Sequence, residues 1–170
     1  MSGQGSAQTI IDSLEFARTG QALHGSLLLP GLVRLKDSLA DAVGTVEFAV
    51  TGGYDSRRRP ILKVAISGTL HLQCQRCLGA LDYPLQIVNT LLLVGAGEAA
   101  AGEPDDEEIE WIEASRELDL ATLIEDEILL SLPYAPRHQE GACRLLGAAS
   151  AQGAVSSAFA QLAALKRNTH

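Results

Sequence analysis

The sequence predicts an α+β domain: a small antiparallel β-sheet flanked by three or four helices, with an acidic loop and a flexible C-terminal linker. Three segments alternate apolar and polar residues with the period of a β-strand, and one later segment repeats apolar residues with the period of an α-helix. The chain has 170 residues, of which 46% are hydrophobic and 20% charged. This ordinary globular composition suffices for one domain with its own hydrophobic core.

Three predicted strands lie in the first hundred residues. They cover GTVEFAVTG (44–52), PILKVAISGTLHLQC (60–74) and the alternating segment 81–93, and the first two are joined by a turn at 51–60. A short fourth strand is predicted at 109–113. Each segment places its apolar side chains on one face, which is typical of an antiparallel sheet with one side on the core.

The clearest predicted helix spans 118–133 and begins next to Asp119, a favourable N-cap residue. Its apolar positions recur at helical spacing and form one stripe, made of Leu120, Leu123, Ile124 and Ile128. Two shorter helices are predicted at 9–18 and 30–40, with an extended segment at 24–30 between them.

We expect residues 1–143 to form a single α+β domain that contains an acidic loop at about 95–108. Residues 144–156 are rich in Ala, Gly and Ser, a composition typical of a flexible linker. Residues 157–170 are expected to form a short C-terminal helix that ends in a basic tail.

Acidic residues are concentrated in one part of the chain. Residues 98–127 contain 13 of the 21 acids and a single base, Arg116. The net charge of −8 and the pI of about 4.9 argue against a general nucleic-acid binder, because such proteins are usually basic. A local basic turn is nevertheless present at Arg57–Arg59.

Cellular location is predicted from three absences. The sequence has no apolar run of about 18 residues that could span a membrane. Its N-terminus lacks the basic start and apolar segment of a secretory signal. Three cysteines, an odd number, argue against a disulfide framework. We therefore expect a cytoplasmic protein with reduced thiols and no membrane association.

Cys74 and Cys77 form a CxxC pair between the second and third predicted strands, where the chain must turn. Such a turn places two sulfurs on one metal ion, which is half of a tetrahedral zinc site. The third cysteine, Cys143, follows His138 at a spacing that suits the second ligand pair. The predicted metal ligands are therefore Cys74, Cys77, His138 and Cys143, with zinc as the candidate cofactor.

Two alternatives stay open for these thiols. Free cysteines are among the most often buried residues, so the three could lie in the protein without a metal. The CxxC pair could also carry redox chemistry, since Arg76 could lower a thiol pKa. A redox CxxC usually opens a helix, however, and the residues after Cys77 are predicted to form a strand.

Three consecutive acids lie on the long predicted helix. Glu127 falls in the middle of its apolar face, so we expect it to pair with Arg76 or Arg137. Glu125 and Asp126 are expected to point outward. The sequence contains no phosphate-binding glycine loop, nucleophile elbow or HExxH motif, so it offers no catalytic constellation.

Three stretches together resemble the YceD family of large ribosomal RNA subunit accumulation proteins. They are LQCQRCLGALDYPL (72–85), ELDLATLIEDEILLSLPYAPRHQEGAC (117–143) and FAQLAALKR (159–167), and the resemblance covers most of 10–168. The positions that recur in the family are Cys74, Arg76, Cys77, Asp119, Glu125, Asp126, Glu127, Pro133, Pro136, His138 and Cys143.

The resemblance implies a bacterial, non-enzymatic ribosome-biogenesis factor that supports accumulation of 23S ribosomal RNA. Its partner would be a ribosomal protein or the large-subunit RNA precursor, and the acidic region favours the protein. A thiol-redox protein that uses its CxxC pair and a metal-free interaction module are the alternative functions. The candidate contacts to a partner or to RNA are Arg57, Arg58, Arg59, Arg76, Glu125, Asp126 and Glu127.

Overall fold

The computed structural model describes residues 10–95 and 110–143. In chain order, the regular elements are β1 (Ile10–Ile11), α1 (Ser13–Thr19), β2 (Ala22–Leu28), two 3₁₀ helices (Leu29–Gly31 and Arg34–Ser38), β3 (Thr45–Tyr54), β4 (Pro60–Gln73), β5 (Ala80–Val94), β6 (Trp111–Glu113), β7 (Leu118–Asp119) and α2 (Leu120–Ser131). No helix in these two ranges is long and apolar enough to cross a membrane.

A five-stranded sheet in the order β2-β3-β4-β5-β6 dominates the fold. The first four strands form an antiparallel meander, and its centre is the long hairpin of β4 and β5, with 14 and 15 residues. β6 pairs in parallel with the end of β5, where Leu92 lies beside Trp111. β1 and β7 form a separate two-stranded antiparallel ribbon.

The predicted small sheet with three or four flanking helices is wrong, because the described ranges hold a larger sheet and only two α-helices. The predicted helix at 30–40 is replaced by two short 3₁₀ helices around Gly31, a residue that disfavours helix interiors. The predicted helix at 9–18 begins only after Asp12, because the two preceding residues pair with β7. The sheet is also not wholly antiparallel, since β6 runs parallel to β5.

Other predicted elements are present. The long helix begins directly after Asp119, whose carboxylate accepts a hydrogen bond from the Ala121 backbone N–H. The extended segment at 24–30 belongs largely to β2, and the short strand at 109–113 contains β6. The linker at 144–156, the C-terminal helix at 157–170 and nearly all of the acidic loop lie outside the described residues.

The hydrophobic core lies between one face of the sheet and the two α-helices. Phe48 and Ile66 project from the middle strands, and Ile124 projects from α2. At one corner, α1 lies against β3 with no space between the backbones: a Cβ atom built on Gly52 would lie 2.3 Å from the carbonyl oxygen of Phe16. Gly52 is therefore the position that permits this helix to contact the sheet.

The sheet and α2 bring two distant parts of the chain to one end of the molecule. The last residue pair of the β4–β5 hairpin is Gln73 with Ala80, so residues 74–79 form the turn. After α2 the chain returns to this turn, where the Gln75 backbone N–H donates to the carbonyl of Pro136 over 2.8 Å. Residues 136–143 thereby lie against the CxxC turn.

Candidate metal centre

The turn between β4 and β5 is a compact knuckle (residues 74–79) held by its own backbone. The Cys74 N–H donates to the Gly79 carbonyl at 2.9 Å, and the Leu78 N–H donates to the Cys74 carbonyl at 2.8 Å. Leu78 has a positive φ of 58°, a left-handed conformation that lets the chain reverse here. This backbone directs the sulfurs of Cys74 and Cys77 to the same side.

His138 supplies a ring nitrogen to the same point. Its Nε2 lies 2.9 Å from the carbonyl oxygen of Ala80, an acceptor, so Nε2 carries the hydrogen of this bond. Nδ1 therefore faces the cysteine sulfurs, 3.4 Å from the Sγ of Cys77 and 3.7 Å from the Sγ of Cys143. A backbone carbonyl that orients the histidine through its second nitrogen is typical of metal-binding histidines.

Four candidate ligand atoms converge within 4.8 Å of one another, from Cys74, Cys77, His138 and Cys143. The sulfurs of Cys74 and Cys143 are 3.7 Å apart, far longer than the roughly 2.05 Å of a disulfide, and all three cysteines are free. Around a tetrahedral zinc ion, two sulfurs would lie about 3.8 Å apart and a sulfur and a nitrogen about 3.6 Å apart. The observed distances fit a site of this size, so the cluster could hold a metal such as zinc.

The surroundings of the thiols favour the thiolate form at two of the three sites. Burial opposes ionisation of Cys74, but hydrogen bonds from the backbone of His138, Arg76 and Cys77 lower its pKa to about 5. Burial opposes ionisation of Cys143 as well, but the hydrogen bonds with Arg76, His138 and Cys77 together lower its pKa. The pKa of Cys77 is raised: the Gly79 N–H lowers it, but burial and the two neighbouring sulfurs prevail.

Arg76 lies beside the cluster. Its Nε donates to the Sγ of Cys143 at 3.0 Å, and its Nη2 donates to the backbone carbonyl of Gln139 at 3.5 Å. The guanidinium thus joins the knuckle to the segment that carries Cys143. The sequence pattern indicated Arg76 as a candidate contact to a partner and as a residue that could lower a thiol pKa, but it did not indicate the contact with Cys143.

The basic turn lies between β3 and β4, at the start of β4, whereas the CxxC knuckle follows the end of β4. The two are therefore at opposite ends of this long strand. Asp55 organises this turn: its carboxylate accepts hydrogen bonds from the backbone N–H groups of Arg57 and Arg59 and from the Nε of Arg59 at 2.7 Å. Arg58 has a positive φ of 62°. The structure therefore separates the three arginines from the metal cluster.

Two of the three acids on α2 contact Arg34, a residue that the sequence analysis did not connect with them. Glu125 is buried, with 7% of its surface exposed, although it was expected to point outward. Its carboxylate accepts hydrogen bonds from the backbone N–H groups of Arg34 and Leu35, at 2.7 and 3.2 Å, and from the Nε of Arg34. The more exposed Asp126 pairs with Arg34 Nη1 at 2.6 Å. A separation of 91 residues left no local signal for this contact.

Glu127 is buried on the inner face of α2, as its position in the apolar stripe indicated. Its partner is Asn89 on β5, which donates over 2.9 Å, rather than the expected Arg76 or Arg137. The same Asn89 amide also donates to Glu110. Burial raises the pKa of Glu127, and the nearby charge of Glu110 adds to the effect, while the Asn89 hydrogen bond opposes it.

Comparisons with known proteins agree with the resemblance of the three stretches. The family model described as "Large ribosomal RNA subunit accumulation protein YceD" matches residues 62–166, more than half of the chain. A protein of Haemophilus influenzae named "Large ribosomal RNA subunit accumulation protein YceD" is 28% identical over 115 residues. That alignment covers 67% of this chain and 66% of the relative, just under two thirds of its length. No solved structure matches the chain.

The family match spans both halves of the metal cluster, from the CxxC knuckle to the segment with His138 and Cys143. It also spans nearly all of the β4–β5 hairpin and the whole of α2, the elements that bring these halves together. The chain therefore belongs to the YceD family of large ribosomal RNA subunit accumulation proteins.

Proposed function

We propose that this protein is a non-enzymatic factor of the bacterial cytoplasm that supports accumulation of 23S ribosomal RNA, with a zinc ion bound by Cys74, Cys77, His138 and Cys143. The single observation that carries the metal centre is the convergence of these four ligand atoms within 4.8 Å. The role in RNA accumulation rests on the family to which the chain belongs. The Haemophilus influenzae relative, which carries the family's name, supports that role.

The ligand set favours a structural zinc site over a catalytic one. Structural zinc sites have four protein ligands, whereas catalytic sites keep one position open for water or substrate. Three cysteines and one histidine fill a tetrahedron. The ion would tie residues 136–143 to the knuckle and stabilise the surface that the two segments form together.

Charge supports a protein partner over direct RNA contact. The described elements β5, β6 and α2 contain no Lys or Arg, and the acids that they expose are Asp82, Glu113 and the half-exposed Asp126. An acidic surface repels the RNA backbone and attracts basic proteins, and ribosomal proteins are a basic class.

The trough on the sheet face opposite the core also does not have the lining of an RNA platform. A trough of about 580 Å³ crosses β2 to β5 on this face, and none of the residues that line it is Lys or Arg. Its floor is formed by small residues such as Ala49, Ala65 and Ser67, and the exposed aliphatic Val88 lies at one side. Single-stranded RNA is usually bound by exposed aromatic rings in a positively charged groove.

A thiol-redox function is the second candidate, and one observation favours it. The pKa of Cys74 is lowered to about 5 while that of Cys77 is raised, an asymmetry typical of a redox CxxC. This function would not require Cys143 or His138, however, and both point at the same cluster. A Cys74–Cys77 disulfide that forms and is reduced reversibly in the cell, with Cys143 dispensable, would favour it over zinc.

The proposed function is tested by deleting the gene and measuring the ratio of large-subunit to small-subunit ribosomal RNA. We expect the ratio to fall, and to be restored by the wild-type gene and by a Glu117→Gln control at an exposed position. A Cys77→Ser variant should fail to restore it. A normal ratio in the deletion strain would contradict the role in RNA accumulation, and full rescue by Cys77→Ser would contradict a need for the metal centre.

A further inference from the structure

We propose that Arg76 is a positioning residue of the metal centre: its guanidinium holds the sulfur of Cys143 in place and protects it from electrophiles. The role rests on the metal centre proposed above. It assigns Arg76 a task inside the protein instead of a contact to RNA.

Cys143 is the sulfur most in need of such protection. Cys74 and Cys77 are buried, with 0% and 8% of their surfaces exposed, whereas Cys143 is only half-buried. It also lies at the end of the segment 136–143, after α2, and within the described residues no sheet hydrogen bond fixes its backbone. A bond from the knuckle to its side chain therefore restrains the least protected sulfur.

The geometry of Arg76 suits this task. Its backbone lies between the two knuckle cysteines, in the turn closed by the bond from the Leu78 N–H to the Cys74 carbonyl. From this fixed point its Nε reaches the Sγ of Cys143 at 3.0 Å, and its Nη2 reaches the Gln139 carbonyl. The planar guanidinium can make both contacts at once, which the single ammonium group of a lysine cannot do in the same geometry.

Charge gives the contact a second effect. Three thiolates and a neutral imidazole around a divalent cation leave one excess negative charge, which the guanidinium of Arg76 balances. A hydrogen bond to a ligand sulfur withdraws electron density from it, so the sulfur becomes a weaker nucleophile. Loss of this bond should make Cys143 more reactive than the buried sulfurs.

The test is alkylation of the zinc-loaded, full-length protein with iodoacetamide. The sulfur forms a bond to the methylene carbon of the reagent, iodide leaves, and the resulting thioether is located by mass spectrometry of peptides. The variants are Arg76→Met, Arg76→Lys and, as a matched control, Arg116→Met at a described arginine outside the cluster.

In Arg76→Met we expect Cys143 to react about tenfold faster than in the wild type, with zinc lost to a chelator faster by a similar factor. Cys74 and Cys77 should stay protected until Cys143 has reacted. Arg76→Lys should recover part of the protection, and Arg116→Met should behave like the wild type. Far-ultraviolet circular dichroism should show that every variant keeps its secondary structure.

Two results would overturn the role of Arg76 while leaving the zinc site intact. The first is equal alkylation rates in zinc-loaded wild type and Arg76→Met, and the second is simultaneous reaction of all three cysteines in the variant. A wild-type protein that binds no zinc would instead overturn the metal centre, and the role of Arg76 with it.

Discussion

Cys143 is the residue at which loss of the metal can be tested with least damage to the core, because it is only half-buried. We expect Cys143→Ser to lower the free energy of unfolding by about 3 kcal/mol or more, since a ligand that binds only the folded state stabilises it. Urea unfolding in the presence and absence of a chelator measures this. The chelator should destabilise the wild type and leave the variant unchanged; equal chelator effects in both proteins would be incompatible with a site that needs Cys143.

Glu127 should make stability depend on pH in a defined direction. Burial raises its pKa in the folded state. At a pH between the unfolded and folded pKa values, the folded protein therefore binds more protons than the unfolded chain does. The stabilising contribution of this group is complete below the unfolded pKa, about 4.3, and is lost as the pH rises through the folded pKa.

Glu127→Gln should therefore be at least as stable as the wild type at pH 7 and should lose this part of the pH dependence. Urea unfolding from pH 4 to pH 8 gives the free energy of unfolding of both proteins. Their difference at each pH isolates the contribution of Glu127, because the other titrating groups are common to both. Glu113→Gln, an exposed position on β6, is the matched control. A variant that is less stable than the wild type at pH 7, with the same pH dependence, would argue against a charged, poorly solvated Glu127.

Side-chain spacing predicted part of the site and could not predict the rest. The CxxC pair and the His138–Cys143 pair are local patterns with a chemical reason, and the structure brings the four residues together. The partners of Glu125 and Glu127 are Arg34 and Asn89, which lie far away in sequence. Such contacts follow from how α2 packs on the sheet and leave no trace in local periodicity.

At the scale of elements, the contact of α1 with β3 depends on one residue without a side chain. The three atoms nearest to a Cβ atom at Gly52 would be backbone atoms of α1, at 2.3 to 2.8 Å, and these cannot move as a flexible side chain would. We expect Gly52→Ala to lower the free energy of unfolding by about 2–3 kcal/mol.

The adjacent Gly53 is a control for this substitution, since a Cβ there would meet nothing within 4 Å. Gly53→Ala should change the unfolding free energy by less than about 0.5 kcal/mol. Thermal and urea unfolding of both variants give the comparison. Equal effects of the two substitutions would mean that α1 does not lie directly on β3.

The position of α2 depends on Glu125, which caps the second 3₁₀ helix through the backbone N–H groups of Arg34 and Leu35. Glu125→Ala would leave these donors without their acceptor, so we expect a loss of about 2–3 kcal/mol in the free energy of unfolding. The neighbouring Asp126→Ala removes only a half-exposed ion pair and should cost less than about 1 kcal/mol. If urea unfolding gave similar losses of stability for Glu125→Ala and Asp126→Ala, the hydrogen bonds of Glu125 to the 3₁₀ helix would not be what stabilises this contact.

Elements with a strong local pattern were predicted well, whereas the helix at 30–40 and the direction of β6 were not. Alternation in 60–74 and 81–93 marked the two long strands, and the stripe after Asp119 marked α2. Residues 30–40 were predicted to form a helix, but they form two 3₁₀ helices fixed by contacts such as that with Glu125. The parallel pairing of β6 with β5 is likewise a tertiary contact that a three-residue strand cannot reveal.

At the scale of the whole molecule, the metal centre connects the sheet to the chain that follows α2. The knuckle carries two ligands at the end of the β4–β5 hairpin, and the returning segment carries the other two. A backbone hydrogen bond between Gln75 and Pro136 also joins the two segments. A zinc ion would make this junction rigid and keep β5, β6 and α2, whose exposed charges are acidic, in a fixed arrangement for the proposed partner.

The most direct test of this account is the zinc content of the full-length protein, purified without chelators or metal-affinity resin. Elemental analysis should give about one zinc per chain, and all three thiols should resist a thiol reagent until the metal is removed. Less than about one tenth of a zinc per chain, with all three thiols freely reactive, would contradict the metal centre.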